Sequence, residues 1–220
     1  MGDNQFSLRR PIFYLPCRLG THNMYVVLFN GPPRSGKDTL ARMVADHFTS
    51  QHVDAPRIEH LAEPLRRIAY QMCDMTYGAP GALDYELFKT TWFAQFNRTG
   101  RQLLIDVSES FLKPQYGREI MANLLFERTV GIAEKVLLIP DSGFQAETNR
   151  LCSLYSGENV YVVNVMRNGC DFSNDSREWV SHPKASRLQM QVNNNGSLHD
   201  LATEAGRIYG RLVNLLGWVV

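Results

Sequence analysis

The residues Gly31-Pro-Pro-Arg-Ser-Gly-Lys37-Asp38-Thr39 have the types and spacing to hold a polyphosphate. They fit G-x-x-x-x-G-K, in which glycines let backbone N–H groups converge on phosphate oxygens and a lysine supplies charge to the β- and γ-phosphates. A helix opening inside the motif adds its dipole to the same anions. On this reading Gly31, Pro32, Pro33, Arg34, Ser35, Gly36, Lys37, Asp38 and Thr39 form an ATP site, with Lys37 acting on the reacting phosphates. The residue after the lysine is usually Ser or Thr; here it is Asp38, followed by Thr39. Thr39, whose hydroxyl could reach Mg²⁺ or the α-phosphate, and Asp38 are the metal candidates. The competing explanation is a chance glycine-rich turn, and the flanking elements weigh against it.

Such a loop must stand between a buried strand and a helix. Tyr25–Phe29 is a continuous apolar, β-rich run, as expected of a central parallel strand buried on both faces. From Thr39 to Phe48 the apolar residues Leu40, Val44 and Phe48 share one helical face. Further along, Ile58–Leu61 reads as a short strand, and Pro64 opens a helix through Met72. Gly78, Pro80 and Gly81 mark a turn. Helical patterns are expected over Leu83–Phe96, Arg101–Leu112 and Arg118–Glu134. Val136–Ile139 reads as a strand ended by Pro140, Gln145–Tyr155 as a helix, and Val160–Val165 and Leu188–Val192 as strands. Ser197 caps a last helix over 198–216. Strands alternating with helices predict an α/β sandwich with a mostly parallel sheet. Between the last two strands, the polar stretch Arg167–Arg187 reads as a loop.

Composition bounds the function. The 220 residues form one domain with room for a small lid or insertion. A formal charge of +1 argues against coating nucleic acid nonspecifically but leaves a local nucleotide pocket open. Cys17, Cys73, Cys152 and Cys170 form no C-x-x-C pair, so reduced thiols in a cytoplasmic protein are expected rather than zinc. No apolar run approaches a membrane span. Residues 1–23 lack the apolar centre of a signal peptide and read as a dispensable tail before a domain over 24–220, with Met24 as the expected start of the chain proper.

The loop resembles that of the nucleoside monophosphate kinases, which commonly reads GPPGSGKGT. Arg34-Ser-Gly-Lys-Asp-Thr39 is similar to the loop of the phage deoxynucleoside monophosphate kinases. Later blocks fall in the same order: His60-Leu-Ala-Glu-Pro-Leu65, Gly100-Arg-Gln-Leu-Leu104, Ile139-Pro-Asp-Ser-Gly-Phe144, Val165-Met-Arg-Asn-Gly169 and Asn194-Asn-Gly-Ser-Leu198. The resemblance implies a three-layer P-loop kinase sandwich with a small lid near 167–187, using ATP and Mg²⁺. A phage-encoded enzyme of this kind would work in the host cytoplasm.

The resemblance also nominates residues outside the loop. Asp141, at a strand end facing the loop, would hold Mg²⁺ or orient the acceptor, or else cap the next helix. Glu63 would touch the acceptor, or simply favour a helix start. Arg98 and Arg101 flank Gly100 at a helix start, where two cations oppose the dipole and call for an anion, unless both are solvated. Lys113, Pro114, Gln115 and Tyr116 form a turn that could face substrate. Arg167, directly after a strand end, is the candidate to stabilise transferred charge from a closing lid, whereas His182 reads as structural.

One departure bears on the acceptor. Relatives often carry D-x-R-F where this chain has Asp141-Ser-Gly-Phe144, so Gly143 replaces an arginine suited to a monophosphate. The vacated space would suit an uncharged hydroxyl. That steers the expectation toward a related class, the phage kinases that phosphorylate 5-hydroxymethyluracil within DNA during thymidine hypermodification. Trp92, Phe93, Phe96 and Tyr116 are candidates to stack on a flipped or single-stranded base. A free deoxynucleoside monophosphate is the alternative acceptor, and a P-loop ATP-binding switch is a third possibility.

Overall fold

The computed structural model describes residues 24–51, 55–173, 175–184 and 186–217. The expected tail 1–23, and Cys17 with it, lie outside the described residues. The architecture is α/β. Five parallel strands, β1 (Tyr25–Asn30), β2 (Arg57–Ile58), β5 (Val136–Ser142), β6 (Val160–Met166) and β7 (Gln189–Asn193), form one sheet in the order β2-β5-β1-β6-β7. Strands β1, β5 and β6 are almost entirely buried, which explains their unbroken apolar runs.

Helices cover both faces. Helix α1 (Lys37–Ser50) and α8 (Leu198–Leu216) pack on one, where Leu40, Val44 and Phe48 meet Leu201, Ile208 and Leu212 across Val27, Phe29 and Val163. On the other, α6 (Ile120–Thr129) and α7 (Gln145–Leu154) bring Leu125 and Leu151 against Val26, Leu28 and Ile139. Ser197 caps α8 as expected, in a reciprocal box with Asp200. The expected three-layer sandwich is therefore present.

A third, smaller core stands apart from the sheet. It gathers Ala69 and Tyr70 of α2 (Glu63–Met72), Phe88 of α3 (Tyr85–Thr90), and Leu103 and Leu104 of α4 (Gly100–Ile105). Here the sequence expectations need correction. The helix expected over 83–96 stops at Thr90, and the chain turns into a two-stranded antiparallel hairpin, β3 (Trp92–Phe93) with β4 (Arg98–Thr99). Asp84 caps α3 through Glu86 N and Leu87 N, and Asn97 takes the left-handed conformation that closes the hairpin (φ 53°). Gly100 then passes so close to Phe88 that a Cβ would overlap the Phe88 carbonyl.

The helix expected over 101–112 continues from α4 as a π-helical stretch, Asp106–Leu112, into the one-turn α5 (Lys113–Tyr116), and Gly117 ends it at φ 96°. Helix α6 is shorter than the expected 118–134. Strand β5 does not end at Pro140: Leu28 pairs with Ile139 and Asn30 with Ser142, and that shift in register carries the strand past the missing proline N–H.

Candidate active site

The phosphate loop leaves the carboxyl end of β1, in the middle of the sheet, where open α/β folds bind ligands. Its shape is fixed by its neighbours. Arg34 and Gly36 both have positive φ, 65° and 93°. A Cβ at Gly31 would strike Val165 O and Ser35 Oγ, and one at Gly36 would strike the Asn194 amide. Asn194 donates to Ser35 O at 2.8 Å, so the Asn194-Asn-Gly-Ser block braces the loop from behind. Ser35 Oγ is buried without a hydrogen-bond partner inside this cradle, as expected of a group awaiting a phosphate oxygen.

Lys37 is buried and donates to Pro32 O at 3.1 Å. Burial, and next the charge of Arg177, lower its pKa from the usual lysine value, although Asp38, Asp141 and Asp175 work in the opposite sense. A phosphate would relieve both costs. Asp38 and Thr39 are exposed in the first turn of α1, and neither side chain has a partner among the described residues. No group of three or more His, Cys, Asp or Glu side chains among the described residues could hold a metal ion. Mg²⁺ does not require one, since it binds through one or two protein oxygens plus substrate phosphates. The orphaned Ser35 hydroxyl, the cradle and Lys37 fit Mg²⁺·ATP.

Asp141 does not cap the following helix. Its Oδ1 accepts from Leu61 N at 2.8 Å and its Oδ2 from Ala62 N at 3.1 Å, latching the start of the helical unit to the end of β5. Burial favours its neutral form, but the hydrogen bond and charge of His60, the charge of Arg66 and the Ala62 N–H outweigh this and hold the carboxyl well below the usual range. The expectation of a helix cap is thereby corrected: its hydrogen bonds run to the 61–62 turn, not to the following helix.

Beyond Asp141 lies a cation–aromatic wall that sequence reasoning missed. Arg66, 7% exposed, lies 4.3 Å from the ring centroid of Tyr85, donates to Tyr77 Oη at 3.1 Å and sits 3.7 Å from Asp141. Its Nε is buried with no partner. These residues are spread over 76 positions of sequence, from Arg66 to Asp141, with no shared motif to signal their meeting.

The remaining nominated residues divide. Arg101 is exposed, and its charge reaches Tyr85 and Asp175. Arg98 instead donates to Asp106 at 3.0 Å, so the expected free pair of cations is corrected to one. Glu63 accepts from Arg67 at 2.9 Å in the first turn of α2, the helix-start arrangement. Arg167 is exposed and donates to Arg34 O at 3.3 Å, which puts it on the loop's rim. His182 is structural, its Nε2 lying 2.8 Å from Gly157 O.

Gly143 opens no vacant space. The stem of Arg177 covers it so closely that a Cβ there would meet Arg177 Cβ, Cγ and Cδ at 2.5–2.6 Å. The room expected at position 143 is taken by the side chain of Arg177. Nor is all of 167–187 a free loop. Asn30 donates to Glu178 O at 3.0 Å and accepts from Val180 N at 3.1 Å, Gln145 bonds Ser181, and Val180 is buried.

Next to Gly143 and Arg177 lies a cleft of about 600 Å³, lined by Glu109, Lys113, Arg118, Phe144, Ser176 and Glu178 among others. The Lys113–Tyr116 segment, expected as a turn, is helical and contributes Lys113 and Pro114 to the wall. Lys113 lies 3.6 Å from the Phe144 ring centroid. Tyr116 and Phe111 are 59% and 53% exposed, and Trp92 is 55% exposed on the hairpin. Phe93 is buried in the small core and Phe96 packs against it, so neither is available to stack.

No family model matches the chain, and no curated protein is similar to it in sequence. Among solved structures, a gluconokinase from Sinorhizobium meliloti 1021 overlays at a TM-score of 0.48 with 12% identity, covering 90% of this chain and 97% of that one. The Deinococcus radiodurans tunicamycin resistance protein overlays at 0.38 with 11% identity, covering 86% and 95%. No helix of the described residues is long and apolar enough to cross a membrane.

Proposed function

We propose that the chain is an ATP- and Mg²⁺-dependent phosphotransferase, and that its acceptor is the hydroxymethyl group of 5-hydroxymethyluracil in phage DNA. The observation that carries the reading is a braced phosphate loop with buried Lys37 at the carboxyl end of β1, tied through Asn30 to Glu178, which lines a cleft past the end of β5. Thr39 and Asp38 would hold Mg²⁺, which would supply positive charge to the phosphates. Lys37 and the loop amides hold the β- and γ-phosphates. Arg167 steadies the loop through Arg34 O. Asp141, ionised at neutral pH and already holding two backbone N–H groups, orients the acceptor side rather than serving as a base with a raised pKa.

Exposed Tyr116, Phe111 and Trp92 favour a base carried on a strand, because aromatic faces in solvent are stacking platforms. The second reading, a kinase of free deoxynucleoside monophosphates, is favoured by Arg66 and Arg177, two cations suited to a monophosphate. Incubation with γ-labelled ATP separates the readings. Label should enter DNA containing 5-hydroxymethyluracil and not unmodified DNA. Conversion of free monophosphates to diphosphates with modified DNA unlabelled would establish the second reading instead. ATP hydrolysis indifferent to every acceptor would leave a P-loop switch.

A further inference from the structure

We propose that Arg177 is the catalytic cation that meets the transferred phosphoryl group, and that position 143 is glycine to admit it. The inference deepens the phosphotransferase reading and rests on it. Three observations converge. The first is steric: the stem of Arg177 lies on Gly143, where no Cβ fits. Gly143 does not have positive φ, so its backbone does not demand glycine; the neighbouring side chain does.

The second is rigidity. Asn30, the residue before the phosphate loop, holds Ser142 O at 3.1 Å, Glu178 O at 3.0 Å and Val180 N at 3.1 Å with one side chain. Glu178 N in turn donates to Gly143 O at 2.9 Å. The backbone bearing Arg177 is thus tied to the ends of β1 and β5, at the root of the loop itself. Asp175 receives Nε at 2.8 Å and Nη2 at 2.6 Å, a two-point grip that fixes the fork and leaves Nη1 without a partner among the described residues.

The third is charge. Arg177 and Lys37 are near enough for the guanidinium to disfavour the lysine's protonation, an arrangement that an anion between them would relieve. Arg167, by contrast, is exposed and engaged with the loop's backbone.

In the transfer step, the bond from the γ-phosphorus to the bridging oxygen breaks and ADP leaves with that oxygen. The acceptor oxygen bonds the phosphorus and releases its proton to water. Charge disperses over the three oxygens of the moving group, and a cation already in place costs no reorganisation.

The test uses the full chain, Mg²⁺·ATP and whichever acceptor the wild type phosphorylates. Arg177→Ala should lower kcat by about 10²–10³-fold. ADP affinity should stay within threefold of wild type, because the contact matters in the transition state. Arg177→Lys keeps the charge but loses the two-point grip, and should recover only part of the rate. Gly143→Ala should lower kcat in the wild-type background and have no further effect in Arg177→Ala, since it acts through that arginine. Melting temperatures check that each variant folds. Full activity of folded Arg177→Ala overturns the inference and leaves the phosphotransferase reading standing. So does an equal loss of ADP binding and rate, or additive effects of the two substitutions. A wild type that binds ADP but phosphorylates none of the acceptors overturns both.

Discussion

The two sides of the site are built by opposite means. The phosphate side is one run of nine residues, Gly31–Thr39, set between an almost entirely buried strand and a helix anchored in the larger core. The proposed acceptor side is assembled from His60, Arg66, Tyr77, Tyr85, Asp141 and Arg177, contributed by the turn before α2, α2 itself, the turn after it, α3, β5 and the segment before β7. The first binds through backbone, whose geometry depends little on side chains beyond glycine and lysine. The second would bind through side chains that must be held in place by one another. A common donor requires the former arrangement, and a particular acceptor requires the latter.

The largest expected effect falls on the phosphate side. Lys37→Ala should cut phosphotransfer at least about 10²-fold, with loss of ATP affinity measured by titration. Its fold should survive, since among the described residues Lys37 Nζ bonds one loop carbonyl. Near-normal turnover in a folded variant would break the contrast at its strongest point.

On the acceptor side, substitution should threaten the fold before the chemistry. Asp141→Asn would turn an NH₂ group toward Ala62 N–H, His60 or Arg66, leaving donors facing donors. A loss of about 3–5 kcal/mol is expected, as when one partner of a buried pair is removed. The pH dependence follows from the depressed carboxyl. Its stabilising contribution is full above the unfolded value of 3.8 and is lost as pH falls below that. The stability difference between wild type and Asp141→Asn should therefore shrink steadily as pH falls below 3.8. Curves that stay parallel would show that the latch adds nothing.

Glu147 gives the opposite sign. It is 3% exposed in the first turn of α7, and burial raises its pKa to about 8 against the opposing charge of Lys113. The folded state keeps a proton there that the unfolded chain releases above 4.5. Stability should therefore fall as pH rises from about 4.5 to 8 and level off beyond. Glu147→Gln should flatten that fall and stabilise the protein by about 1–3 kcal/mol at pH 8. An unchanged slope would remove Glu147 as its cause.

The same division governs what the sequence discloses. Strand β1, the loop, α1 and the Ser197-capped α8 are local patterns, and each stands where its residues predict. The small core is less legible because short-range signals compete there. Leu83–Phe96 carries a helical pattern, yet the β-prone Trp92-Phe93 pair and the left-handed Asn97 turn the chain into a hairpin. The site contacts are hidden by distance in sequence. Asp141 meets Leu61 and Ala62 across about 80 residues, and Gly143 owes its identity to a side chain 34 positions later. A missing arginine in one block signals an empty space only if no other element fills it. Here one does.

Arg98 and Arg101 provide the smallest effect and the finest test. In sequence they are equivalent cations flanking Gly100. In the fold, Arg98 Nε is held by Asp106, and both side chains of that pair are close to half exposed. Such a surface pair contributes about 0–1 kcal/mol. Arg101 has no such partner among the described residues, and its charge bears on Tyr85 and Asp175 at the site. Arg98→Ala should therefore leave kcat and the acceptor KM within twofold. Arg101→Ala should raise the acceptor KM by about threefold to tenfold, the scale of one charge–charge contact in partly screened surroundings. Raising the salt concentration should shrink the difference between the two variants, since the lost interaction is electrostatic. Equal effects would mean that Arg101 is as solvated as its neighbour, and the acceptor side would end at Tyr85.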